Sequence, residues 1–128
     1  MRSMSDTSST NKATVEAYME GFRRTDRALI LSCLTDDVEW SIPGAFHTQG
    51  IDAFASHIVD PGFTGQPVIA VTRLTEEHDV VVAEGTVLAP REDGTTLHLA
   101  FCDVFEMRGG KIRKLTSYLV QTNSTPAS

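Results

Sequence analysis

The stretch LHLAFCDVFEMRGGKIRKLTSYL, from Leu97 to Leu119, decides how the rest of this chain folds. Two runs rich in β-branched and aromatic residues, Leu97–Met107 and Lys111–Leu119, flank Arg108-Gly109-Gly110. A Gly-Gly pair between apolar runs makes a hairpin turn, because glycine takes φ > 0 without steric cost. In the first run a period of two puts Leu97, Leu99, Phe101, Phe105 and Met107 on one face, and the only charged residue among them is Asp103. A carboxylate in apolar company either finds a partner or keeps its proton, since an unpaired buried charge is too costly. Asp103 is therefore the first candidate for a functional group.

Upstream of this hairpin two more strands are expected, Pro67–Thr75 and Val80–Ala89, separated by His78-Asp79 and followed by the turn Arg91-Glu92-Asp93-Gly94. With Thr96–Met107 and Lys111–Val120 they form a four-strand antiparallel meander. If His78-Asp79, Asp93-Gly94 and Gly109-Gly110 are each two-residue turns, Arg73 faces Glu84, Glu84 faces Asp103 and Phe101 faces Tyr118. One bulge or one longer turn breaks the row Arg73–Glu84–Asp103, and the first two residues then form an ordinary surface pair.

The N-terminal half reads as helices around one short strand. Val15, Tyr18, Met19 and Phe22 recur at helical spacing from Lys12 to about Arg24, with Thr10 or Asn11 as N-cap. Thr25-Asp26 caps a second helix, Arg27 to about Leu34. Asp36-Asp37 breaks the pattern, Val38–Ile42 alternates as a strand, and Pro43-Gly44 ends it. Gly44–Gly50 is expected as a loop carrying His47, and Ile51–Val59 as a third helix, stopped by Pro61-Gly62, with Ile51, Phe54, His57 and Ile58 on one face. The order α-α-β-α-β-β-β-β, with helices segregated on an antiparallel sheet, defines an α+β domain. Its expected limits are residues 11–122, with 1–10 as a disordered leader and 123–128 as a flexible tail.

The 128 residues suffice to bury a core without disulfides or metals. A formal charge of −6 with scattered Lys and Arg excludes nucleic acid as the expected partner. Cys33 and Cys102 lie in apolar segments and read as small buried hydrophobes of a reducing compartment. Neither a membrane-length apolar run nor a secretory signal is present, so a cytoplasmic protein is expected. No His-x-x-x-His, Cys-x-x-Cys or Glu-x-x-His spacing suggests a metal, and no Gly-x-Gly-x-x-Gly opens a helix, so neither metal nor cofactor is expected.

The opening AYMEGFRRTDRALILSCLTDDVEWSIPG, Ala17 to Gly44, and the Asp-x-Phe-x-Met-Arg-Gly-Gly-Lys-Ile hairpin from Asp103 resemble the NTF2-like superfamily, and within it the SnoaL-like and ketosteroid isomerase-like branch. The resemblance covers about Asn11 to Gln121. It implies a cone in which a strongly bent, mostly antiparallel sheet wraps three helices around a pocket, and a homodimer formed through the outer sheet face. It also implies roles for two residues. Tyr18 falls where ketosteroid isomerases carry the helix-borne tyrosine of the oxyanion hole, and Asp103 where they carry a second, protonated acid. The isomerase base falls on Ile42, which cannot take a proton, and the acid that SnoaL-type cyclases often carry late in the last strand has no counterpart in Tyr118-Leu119-Val120-Gln121.

The expected function is therefore that of a small-molecule pocket, with isomerase, cyclase or hydrolase chemistry on an apolar ligand bearing a carbonyl or hydroxyl group. Tyr18 and Asp103 would donate hydrogen bonds to one ligand oxygen. A base is sought among His47, His57, His98, Glu39 and Glu84; His57 shares a helical face with Phe54 and is the best placed. Phe22, Trp40, Phe54, Phe101, Phe105 and Tyr118 are the expected lining. The alternative for Tyr18 is a core tyrosine whose hydroxyl satisfies Asp103, and the alternative for the whole chain is a non-catalytic interaction domain on the same fold.

Overall fold

The computed structural model of the chain describes residues 3–58 and 65–122. Among these residues the elements are α1 (Ser3–Arg23), α2 (Arg27–Ser32), β1 (Leu34–Ile42), β2 (Phe46–Gln49), α3 (Ile51–Ser56), β3 (Val68–Glu77), β4 (Val80–Pro90), β5 (Thr96–Arg108) and β6 (Lys111–Gln121). The six strands form one curved mixed sheet in the order β2-β1-β6-β5-β4-β3. Only the β1–β6 pair is parallel, and the other neighbours run antiparallel. This is the expected α+β cone with one strand more than the sequence suggested.

The extra strand is β2. Its four residues were expected as loop, yet they pair with β1, Ile42 opposite Phe46 and Trp40 opposite Thr48. Strand β1 itself begins at Leu34, so Asp36-Asp37 lies within it, and the pairing with β6 shifts register between Leu34 and Glu39 to absorb the break. Helix α1 starts at Ser3, not Lys12, so Ser3–Thr10 of the expected disordered leader is helical and neither Thr10 nor Asn11 caps it. Extending an existing helix gains one backbone bond per residue fixed, without a new nucleus. Asn11 instead donates from Nδ2 to Glu76 Oε2 at 3.0 Å, tying α1 to β3. The expected stop of α3 at Pro61-Gly62 and the tail at 123–128 lie outside the described residues.

Asp26 caps α2 as expected, accepting from the Leu29 amide at 3.1 Å. The two helices approach closely at Gly21, where a Cβ would lie 2.7 Å from the Ile30 side chain. Val15, Ile30, Val38, Phe54, Val81, Phe105, Ile112 and Leu115 are fully buried where the helices meet the inner face. Each such side chain contributes roughly 1.5–3 kcal/mol of transfer free energy.

Three irregularities set the register. His78-Asp79 is a two-residue turn and Arg73 faces Glu84, but Thr72 is a bulge and Val71 faces Gly85. The β4–β5 connection is longer than two residues: Pro90 faces Thr96, and Asp93 closes the loop by accepting from the Thr95 amide at 2.9 Å and the Thr95 hydroxyl at 2.6 Å. This slips the pairing by one, so Glu84 faces Cys102 and Ala83 faces Asp103. In β6 Arg113 is a bulge, which places Tyr118 opposite Cys102, Leu119 opposite Phe101 and Ser117 opposite Asp103. The Arg73–Glu84–Asp103 row and the Phe101–Tyr118 pair, conditional on two-residue turns throughout, therefore do not form. Arg73 and Glu84 form a surface ion pair at 2.7 Å on the outer face, while Asp103 points inward.

Candidate active site

The inner face of β5 buries Phe101, Asp103, Phe105 and Met107 in strict alternation, which is why an acid at position 103 ends inside the cone. Helix α1 brings Tyr18, Met19 and Phe22, β1 brings Trp40 and Ile42, and the wider rim is Ile69, Val87 and Leu119. Together with Phe101, Asp103 and Ser117 these residues line a cavity of about 130 Å³. This volume is well below the ~300 Å³ at which drug-sized ligand pockets begin.

The cavity wall is apolar apart from four groups. Tyr18 and Asp103 line it, and Ser117, the cross-strand partner of Asp103, sits beside the carboxyl. The Trp40 indole N–H donates to Ser117 Oγ at 3.2 Å. Asp103 is nine-tenths buried, and its Oδ1 has no hydrogen-bond partner. The Tyr18 hydroxyl therefore does not satisfy that oxygen. Burial pushes the Asp103 carboxyl up to about 7, against the neighbouring Ser117 hydroxyl, which favours the charged form. Burial, and then the neighbouring Asp103 charge, hold Tyr18 well above its ordinary value, so it remains a phenol and a donor.

Five of the nine expected site residues meet in this cavity: Tyr18, Phe22, Trp40, Phe101 and Asp103. Phe54 and Phe105 are fully buried one layer behind, Phe54 stacked on Trp40 at 4.4 Å between ring centroids and Phe105 edge-on to Tyr18 at 5.4 Å. Tyr118 lies on the outer face and is half exposed, because the Arg113 bulge reverses the side to which it points. His57 ends α3 exposed, with Nδ1 3.0 Å from the Ala53 carbonyl oxygen and its ring against Phe46, outside the cavity. His47 sits at the sheet edge, Nδ1 2.5 Å from Ser41 Oγ and Nε2 3.8 Å from Glu39. His98 faces Leu88 on the outer side of the sheet, and Glu84 is held by Arg73. None of the expected bases lines the cavity, which leaves Asp103 as its one carboxyl among the described residues.

Sequence reasoning missed Ser117. The signal was present in principle, since Asp103 and Ser117 face each other across a hairpin, but the bulge hid it. A larger open groove between α1 and β3, lined by Glu16, Glu20, Arg23 and Arg73, carries charges already paired: Arg23 with Glu20 at 3.1 Å and Arg73 with Glu84. Among the described residues no group of His, Cys, Asp or Glu is placed to hold a metal ion. No described helix is long and apolar enough to cross a membrane.

Three helices packed on a six-strand curved mixed sheet make the α+β cone of the NTF2-like superfamily. The chain belongs to the SnoaL-like domain family, whose model matches residues 15–115. Similar solved structures include TerC co-crystallised with polyporic acid, at 28% identity over 84% of this chain and 89% of that one with a TM-score of 0.76. A putative polyketide cyclase from Xanthomonas campestris pv. campestris has 25% identity, covers 86% of this chain and 90% of its own, and gives a TM-score of 0.77. A LEH-like epoxide hydrolase from M. tuberculosis reaches a TM-score of 0.78 at 19% identity, over 88% of this chain and 84% of that chain, a likeness of fold. No curated protein sequence matches the chain.

Proposed function

We propose that this chain is a cofactor-independent acid–base catalyst acting on a mostly apolar ligand that carries a carbonyl or hydroxyl group. The observation that carries this reading is Asp103 Oδ1, buried without a partner beside Tyr18 in an otherwise apolar cavity. The Tyr18 hydroxyl donates to the ligand oxygen. Asp103, as carboxylate, takes a proton from the carbon next to the carbonyl; the C–H electron pair forms the enol double bond, and the carbonyl π pair moves onto the oxygen held by Tyr18. Asp103 then returns the proton to another carbon, or the enolate attacks a second carbonyl carbon of the same ligand and closes a ring, that carbonyl's π pair moving onto its oxygen, which takes the proton from Asp103. Bound polyporic acid in TerC and the cyclase likeness support a ligand with ring oxygens.

The test is exchange of the α-protons of a neutral cyclic ketone in deuterium oxide. Wild-type protein should accelerate exchange, and Asp103→Asn should lose at least about 100-fold of it. Equal exchange by both proteins would remove Asp103 from catalysis.

A pairing role is favoured by a separate observation. Val68, Tyr118 and Val120 stand exposed on the outer sheet face, which also carries Leu88 and Ala100, so apolar side chains lie exposed there beside the Arg73–Glu84 pair. We place a second copy of the chain there, as a homodimer, with the pockets remaining open at the cone mouths.

A further inference from the structure

Successive rows of side chains cross the inner face of β4, β5 and β6 at the cavity. The ladder aligns Val81, Phe105 and Leu115 in one row, Ala83, Asp103 and Ser117 in the next, and Gly85, Phe101 and Leu119 in the one beyond. The first row is fully buried and closes the cone behind the site. The second sets a small side chain on each side of Asp103, and the hollow lies there. In the third row the Phe101 ring leans on Gly85: its Cε2 lies 3.0 Å from the point that a Gly85 Cβ would occupy. The missing side chain gives the ring its seat against β4. Across the ladder from Phe101, Leu119 is exposed and forms part of the rim.

Neighbours on one face of a strand stand about 7 Å apart, which sets the depth from the Asp103 row to the Phe101 row. That depth is the span of one six-membered ring with its carbonyl oxygen. The volume gives the same answer independently: an apolar cavity of roughly 150 Å³ holds one benzene, and this one measures about 130 Å³. Among the described residues that line it none is basic, and Asp103 is the one carboxyl. An anionic substituent would lose its water there, meet no counter-charge and face the acid. Resting on the acid–base reading above, we infer that the site buries a single uncharged ring, a ketone of one five- or six-membered ring, and that Phe101 and Leu119 set this limit. Both are specificity-determining residues, and neither takes part in proton transfer. A second fused ring finds no burial beyond them. A wide cleft would act in the opposite sense, because each further buried methylene strengthens binding. The added carbons of a fused second ring would then tighten a two-ring ketone on the order of a hundredfold.

The experiment is titration of the full chain with cyclohexanone and with 1-decalone, followed by the fluorescence of Trp40, the chain's single tryptophan and a wall of the cavity. It reads occupancy without turnover. In wild type 1-decalone should bind no more tightly than cyclohexanone, and a gain of about tenfold or more would overturn the one-ring limit. The anion of 4-oxocyclohexanecarboxylic acid should bind at least about tenfold more weakly than cyclohexanone; equal affinity would overturn the requirement for an uncharged ligand. Phe101→Leu and Leu119→Ala each cut away part of the third row. Each should raise the preference for 1-decalone over cyclohexanone at least about fivefold. Leu119 is exposed, so its variant should fold and keeps the test open if Phe101→Leu does not. An unchanged preference in Leu119→Ala would take the pair out of specificity. The absence of any saturable response to cyclohexanone would overturn both this inference and the reading beneath it. A protein that ranks the ligands as expected yet exchanges no ketone protons would lose the catalytic reading alone.

Discussion

Replacing Asp103 by Asn should change how stability depends on pH more than it changes stability itself. The folded carboxyl sits at about 7, against an ordinary value of 3.8. Between those values the folded state holds a proton that the unfolded state has released, so stability falls as pH rises through the window and levels off above the folded value. A separation of about 3 units at ~1.4 kcal/mol per unit gives about 4 kcal/mol in full, of which about 2–3 kcal/mol lies between about pH 5 and pH 8. Asn is close to the acid in size and has no proton to lose, so its curve lacks this fall. Asp37, held down to about 2 by hydrogen bonds from Arg108 and Thr35, acts below about pH 4 and does not overlap. Cys33, raised by burial, titrates above the window. Urea unfolding of wild type and variant across the range checks the difference. Parallel curves would show that Asp103 is ionised and paired in the folded chain, and the neutral-acid account would be wrong.

Tyr18→Phe should weaken binding of a neutral cyclic ketone by roughly 0.5–1.5 kcal/mol in calorimetry, with folding intact; unchanged affinity would take the hydroxyl out of the site. Gly85→Ala should lower the unfolding free energy by at least about 2 kcal/mol, because its Cβ would fall 2.0 Å from the Ala70 carbonyl oxygen, a backbone atom that cannot step aside. Tyr118→Glu should convert the proposed homodimer to monomer in sedimentation while leaving ketone exchange per chain unchanged, and a dimer that survives would move the interface off the outer sheet face.

Faces were legible in the sequence and registers were not, for a physical reason. The alternation of Leu97 to Met107 marks Asp103 as inward whatever the strand pairs with, since the side of a residue depends only on its own strand. Which residue meets it depends on every turn and bulge between them. Thr72 and Arg113 each insert one residue, and the loop after Pro90 closes on Asp93 and Thr95 where two residues were expected. Each is a small local event that shifts all the pairs on one side of it by one. Glu84 was thus placed beside Asp103 and Ser117 was overlooked. Helix faces survived better: Val15, Tyr18 and Met19 are buried together as their spacing requires. β2 escaped because Phe46-His47-Thr48-Gln49 is a short edge strand with little apolar signal.

A site with one carboxyl must work differently from one with two. Ile42 lines the cavity, at the position that the resemblance to ketosteroid isomerases gives to a base, and it adds an apolar wall in place of a second charge. With a second carboxylate nearby, the like charge would drive the Asp103 proton affinity still higher and freeze it as a donor. Without one, Asp103 stands at about 7 and is present in both forms near neutrality, which is the condition for one group to remove a proton and then give it back. The lone acid therefore favours reactions in which removal and return happen at carbons that a single oxygen can reach, or in which the carbanion is consumed by ring closure before the proton is needed. On the proposed reading Tyr18, kept as a phenol by burial, would hold the oxygen charge through either course.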